Sequence, residues 1–179
     1  MEPKEWMQNK NVVLSNDKLD MLIEQVREEE NEFIESMPQQ EVYDYMVSKL
    51  NYLRRKNAGT CKEFNVLIRQ GDICYIDYGQ AYICESGYLH FGLILSIYNS
   101  KVFVVPLSGN MKKASQVFGK EKKNHVYRIG KIPGMSKVSS VYLNDAKWLN
   151  SARIIDVKAH IAQDSELFKE IKRRTLACI

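Results

Sequence analysis

At Gly59 the hydrophobic period of the chain changes, and this change limits the possible folds more than any other feature. Before it, apolar residues recur at helical intervals. Between residues 17 and 35, Leu19, Leu22, Ile23, Val26, Phe33 and Ile34 trace one stripe, while Glu28, Glu29, Glu30 and Glu32 fill the remaining surface of an amphipathic helix. Ser36, Pro38 and Gln39 have the order of an N-cap, a first-turn proline and a capping-box partner. They predict a second helix through Val42, Met46, Leu50 and Leu53. Arg54, Arg55 and Lys56 suit its negative C-terminal end, and Gly59 stops it. Helices joined so closely form a hairpin whose apolar stripes need a cover.

After Gly59 the runs shorten to strand length. Residues 72–78, 91–98 and 102–107 are rich in Ile, Val, Tyr and Phe. Asn99-Ser100 is short enough to join the second and third as a hairpin, and Pro106, which has no N–H, belongs at an edge or bulge. Residues 125–132 and 140–143 read as further strands beyond a lysine-rich loop, and Ser165 caps a closing helix through Leu167, Phe168, Ile171 and Leu176. The expected class is α+β: a helical hairpin over residues 1–60, then a mostly antiparallel sheet domain with a C-terminal helix over residues 61–179.

A chain of 179 residues holds one well-cored domain with an appendage, which excludes a fusion of two enzymes. No apolar run approaches the roughly 18 to 20 residues of a membrane span, and Met1-Glu2-Pro3-Lys4-Glu5 lacks the basic and apolar regions of a secretory signal. A cytoplasmic protein with reduced thiols is expected. Cys61, Cys74, Cys84 and Cys178 form no Cys-x-x-Cys pair, and His90, His125 and His160 are widely separated, so neither a metal site nor a disulfide framework is expected; no cofactor is expected either. Residues 1–60 hold 8 Lys and Arg against 12 Asp and Glu, and residues 61–179 hold 18 against 10. A basic body behind an acidic leader suits a polyanionic partner, although solubility alone also explains a modest excess.

Within residues 71–108 a polar loop carrying Glu85 separates the first two strands, His90 opens the second, and Ser108 closes the third. A carboxylate, an imidazole and a hydroxyl at neighbouring strand ends supply acid-base chemistry for a phosphoester or an acyl group. The order Pro106-Leu107-Ser108-Gly109-Asn110 is no nucleophile elbow, which disfavours a serine hydrolase. Each group also has a plain structural reading: His90 as a packed or solvated side chain, Ser108 as a turn residue, Glu85 as a wet loop carboxylate.

Gly71-Asp72-Ile73-Cys74-Tyr75-Ile76-Asp77 resembles the opening strand of the MazF/PemK-like toxins, the endoribonucleases of toxin-antitoxin modules. In the same order, residues 85–96 resemble that family's Glu-containing loop and second strand, and Val104-Val105-Pro106-Leu107-Ser108 resembles its third strand with a terminal hydroxyl. Asn124-His125-Val126 and the stretch from Ser140 through Leu149, Asn150 and Arg153 resemble later strands, so the resemblance covers about residues 68–179. It implies an SH3-like, strongly bent antiparallel barrel with a C-terminal helix. It further implies a homodimer that cradles single-stranded RNA and is masked by an antitoxin protein, and a chemistry without metal.

In that chemistry the ribose 2′-hydroxyl attacks the adjacent phosphorus, leaving a 2′,3′-cyclic phosphate and a 5′-hydroxyl. His90 stands where the family commonly has Arg, Ser108 where it has Thr, and Phe91 where it often has Pro. The resemblance therefore assigns catalysis to His90, Ser108 and Glu85. The loop lysines Lys112, Lys113, Lys120, Lys122 and Lys123, with Arg128 and Lys131 on the following strand, would supply RNA phosphate contacts or simply stay solvated, and Lys147 stands roughly where the family has a basic residue. The alternatives are a non-catalytic RNA-binding or protein-binding barrel, or a regulatory protein acting through its helical hairpin. The acidic leader either restrains the basic groove or simply packs.

Overall fold

The computed structural model describes residues 3–8, 15–109 and 125–178. The chain divides into two compact units, Met1–Tyr43 and Asp44–Ile179. The first holds α1 (Pro3–Gln8), α2 (Asn16–Ser36) and the opening residues of α3 (Gln39–Arg55). Ser36 does not cap α3. It is the last residue of α2, where its Oγ donates to the Phe33 carbonyl at 2.7 Å, and Met37, with extended backbone (φ −80°, ψ 147°), ends that helix by donating its N–H to the Ile34 carbonyl. The Pro38 carbonyl accepts the first bonds of α3, from Glu41 N at 2.8 Å and Val42 N at 3.1 Å. No residue of α2 is buried: Leu19, Ile23, Val26 and Phe33 of its apolar stripe are exposed.

Among its described residues the second unit contains the rest of α3, a 3-10 turn (Cys61–Phe64) and seven strands. These are β1 (Asp72–Asp77), β2 (Leu89–Tyr98), β3 (Lys101–Ser108), β4 (Val126–Lys131), β5 (Val138–Tyr142), β6 (Lys147–Asn150) and β7 (Ile154–His160). A C-terminal helix, α4 (Glu166–Leu176), follows; the Ser165 hydroxyl caps it by accepting Phe168 N at 3.2 Å. Every pairing is antiparallel, in the order β4-β5-β3-β2-β1-β7, with β6 added on β3. The expected α+β arrangement of leading helices, antiparallel sheet and closing helix is the one observed.

Along β3 the side chains alternate between two cores. Phe103, Val105 and Leu107 join Ile73, Leu93, Val141 and the α4 residues Phe168 and Ile171; Val102 and Val104 join Cys74, Ile76, Tyr78, Ile94 and Ile154. A strand buried on both faces reads as a continuous apolar run, which is why β2 and β3 stand out in the sequence. One side of β3 is shared by β6, paired to residues 101–104, and β5, paired to Leu107 and Ser108. Pro106 falls in the gap between them, a local edge that suits a residue with no N–H.

His160, for which the sequence suggests no partner, has one: its Nδ1 lies 2.8 Å from Oδ1 of the buried Asp72. This contact ties β7 to β1 at the start of both pairings, since Asp72 and His160 are opposite in register.

Candidate active site

The site is set by strand register. Leu107 opposes Phe91, so continuing the β2–β3 ladder by one residue sets His90 opposite Ser108. Ser108 in turn opposes Ser140, Ser140 opposes Arg128, and His90 opposes Ile76. Arg128, Ser140, Ser108, His90 and Ile76 therefore form one row across five strands. Directly opposed residues in antiparallel strands project to the same face, with Cβ atoms about 4.5 to 5.5 Å apart. His90 and Arg128 are exposed at the surface, Ser108 is half-buried and Ser140 is buried. Among the described residues, nothing encloses the pair within the apolar interior.

The loop before β2 fixes how His90 is presented. Its neck is closed by Tyr88 N to the Gly79 carbonyl at 2.6 Å and Tyr78 N to the Tyr88 carbonyl at 2.7 Å. Gly79 (φ +81°), Cys84 (φ +73°) and Tyr88 (φ +50°) make the left-handed bends that so tight a return requires. Buried Asp145 holds the loop, accepting Ser86 N at 2.8 Å on one oxygen while Lys147 Nζ sits 2.7 Å from the other. The Nδ1 of His90 lies 2.6 Å from the Gly87 carbonyl. A carbonyl only accepts, so Nδ1 carries the proton, and in the neutral ring Nε2 keeps the lone pair. The loop thus selects the tautomer a general base needs.

His90 and Ser108 both line a cavity of about 280 Å³, with Tyr75, Phe91, Lys137 and Ser139 among its other walls. Phe91 packs against the core, 5.2 Å from the Tyr75 ring, while contributing to this wall. Lys137 is a residue that motif reading misses. A Cβ at Gly109 would stand 3.1 Å from its Cβ, so the bare backbone of Gly109 lets the lysine stem lie beside Ser108. Among the described residues Lys137 forms no ion pair. Its only sequence signal is a lysine at the tip between two short strands, too common to select.

The other sequence candidates separate from this row. Glu85 turns back on its own loop, its Oε2 accepting Tyr82 N at 3.3 Å, and is not among the cavity's walls. Lys147 is half-buried and held by Asp145, with its ammonium 5.9 Å over the Tyr78 ring. Lys131 is exposed at the end of β4. Lys112, Lys113, Lys120, Lys122 and Lys123 lie outside the described residues. Among the described residues no three His, Cys, Asp or Glu side chains converge as a metal-binding set. Likewise no described helix is long and apolar enough to cross a membrane.

No protein-family model matches the chain, and no curated protein matches it. Solved structures give matches at low identity. A crystal structure of MazF from Deinococcus radiodurans is 16% identical with a TM-score of 0.47, covering 62% of this chain and 94% of that one. An endoribonuclease in complex with its cognate antitoxin, from a mycobacterial species, is 13% identical with a TM-score of 0.42, covering 62% and 92%. The Mycobacterium tuberculosis toxin MazF-mt6 is 10% identical with a TM-score of 0.40, covering 60% and 98%.

Proposed function

We propose that the protein is an endoribonuclease toxin that cuts single-stranded RNA without a metal ion. The observation that carries this reading is that His90 and Ser108, each one residue beyond the paired Phe91 and Leu107 of β2 and β3, line the same cavity, with the His90 tautomer set by Gly87. In the proposed step the ribose 2′-oxygen bonds to phosphorus as the bond to the 5′-oxygen breaks. His90 Nε2 takes the 2′-proton, and the departing oxygen takes a proton from water. The Ser108 hydroxyl donates to a phosphoryl oxygen, where charge grows as the fifth bond forms. Arg128 and Lys137 hold the flanking phosphates, helped by the lysines of residues 112–123 and by Lys147 to the extent that Asp145 releases it. DNA lacks the attacking hydroxyl and is not cut. A homodimer and a cognate antitoxin protein belong to the same reading, as does a cytoplasmic site of action.

The test is incubation of the purified protein with mixed-sequence RNA in the presence of a chelator. Fragments with 2′,3′-cyclic phosphate and 5′-hydroxyl ends, lost in His90→Ala, support the reading. Tight binding without scission supports instead a non-catalytic RNA-binding module. Neither activity points to a protein that acts on other proteins.

A further inference from the structure

A second cationic hollow lies in the same unit, apart from His90 and Ser108. The C-terminal half of α3 is bonded to the sheet by Ser48 Oγ and Asn51 Nδ2, which donate to the two oxygens of buried Asp77 at 2.6 and 2.7 Å. Arg55 donates to the carbonyls of Ala152 at 3.1 Å and Ile154 at 2.8 Å, gripping the 3-10 turn Ser151–Arg153 on either side of Arg153. Between helix and turn are two adjoining cavities of about 140 and 340 Å³, with Tyr52 and Arg153 in the walls of both. Lys49, Arg55, Lys56 and Arg153 line them, and among the described residues the single acidic wall residue is Asp77. Both Asp77 oxygens are already taken by donors, Gly79 N included.

The end of a helix accounts for cations at Arg54, Arg55 and Lys56. It does not account for Arg153, which comes from the opposite wall. The Arg153 guanidinium is aimed by the Asp77 carbonyl, 3.1 Å from its Nη1, and passes so close to Gly79 that a Cβ there would stand 3.1 Å from the same atom. Among the described residues Arg55, Lys56 and Arg153 form no ion pair. Tyr52 is 57% exposed, an aromatic face left open beside them.

We propose that this cleft binds the RNA strand beyond the scissile linkage, with Lys56 and Arg153 on a phosphate and the Tyr52 ring stacked on a base. The inference rests on the endoribonuclease reading and adds a subsite to it. Register gives the connection: the row through Ser108, His90 and Ile76 continues to Ile154, the residue after Arg153. Ser108 and Arg153 are therefore about three interstrand spacings apart, roughly 14 Å counted across the sheet; Ile76 and Ile154 between them are buried, so the RNA strand reaches the cleft over the surface and not along this row. A phosphate neutralised by Lys or Arg and a base on an aromatic ring are the two elements of sequence-tolerant single-strand binding.

The experiment measures affinity of the full chain for a labelled, mixed-sequence RNA made non-cleavable by 2′-O-methylation, across a salt series. Lys56→Glu and Tyr52→Ala alter exposed side chains; thermal melting checks that both variants fold. Each is expected to weaken binding about tenfold or more. Lys56→Glu should also flatten the plot of log affinity against log salt by about 0.7, the loss of one single-strand phosphate contact. Tyr52→Phe and Lys56→Arg should restore binding. Cleavage of a dinucleotide, too short to reach the cleft, should be unchanged in all four variants. Wild-type affinity and slope in the first two variants overturn the cleft and leave the nuclease reading standing. Failure of the unmodified chain to bind the RNA overturns both.

Discussion

His90 owes its proposed role to one carbonyl, and other residues in this unit are fixed by equally local causes. Gly92 is one. A Cβ there would stand 2.3 Å from the Tyr78 hydroxyl oxygen and 2.9 Å from Ile76 Cδ1, both in the packed interior. Gly92→Ala is therefore expected to destabilise the protein by about 1 to 3 kcal/mol, read as a lower urea midpoint at unchanged slope. An unchanged midpoint would show that Tyr78 can move aside. The cysteines give a second residue-scale prediction. Cys61 and Cys74 are buried, and burial pushes the Cys74 thiol well above its ordinary range, whereas Cys84 and Cys178 are exposed. A thiol reagent should modify Cys84 and Cys178 in the native protein and the other two only on unfolding; rapid native labelling of Cys74 would contradict this burial. At this scale the sequence was informative about residue types and silent about partners. It offered His90, Ser108 and Glu85 together, but nothing in it distinguishes a carboxylate facing a ring from one closing its own turn, as Glu85 does.

Elements were legible where both faces or one clear stripe are apolar. Strands β2 and β3, buried on two sides, and α4, with Phe168 and Ile171 inward, could be read directly. β7 could not: beyond buried Ile154 its residues are only partly buried and alternate with exposed, charged Asp156 and Lys158, the pattern of a sheet margin. Four-residue β6 is too short to show a period. The Ser36 cap failed because α2 runs on through the serine, a competition between two helices for one residue that local motif order does not decide. Nor does sequence disclose that Ser48, Asn51 and Arg55 bind α3 to the sheet domain, since polar residues in a helix read as its wet face. On α4, Arg173 and Arg174 both bond Glu170 and hold its carboxyl down, from 4.5 to about 2. A carboxyl lowered in the folded state adds stability that is fully present above the unfolded value and is lost as pH falls through the folded one. The Glu170 side-chain carbon resonance should accordingly titrate with a midpoint near 2 in the native protein. A midpoint at 4.5 would mean that solvent has loosened both exposed arginines.

For the whole molecule the account depends on one row of residues running across the sheet, from Arg128 through Ser108 and His90 towards Arg153. The basic excess of residues 61–179 was visible in composition, but its distribution was not. Lys137 lines the cavity, Arg128 stands two strands from Ser108 in the same row, and Lys56 and Arg153 line the cleft beyond β1, positions that only the folded strand order relates. The central claim is that His90 and Ser108 act as a unit on a phosphodiester. The most direct measurement is the single-turnover rate of RNA scission by the wild type, His90→Ala, Ser108→Ala and the double variant. Groups that work together lose most of their effect when either is removed. His90→Ala is expected to slow scission by about 10² to 10⁴. Ser108→Ala should slow it by a similar order, and the double variant should be scarcely slower than the worse single one. Full activity in His90→Ala, or losses that simply multiply, would contradict the account.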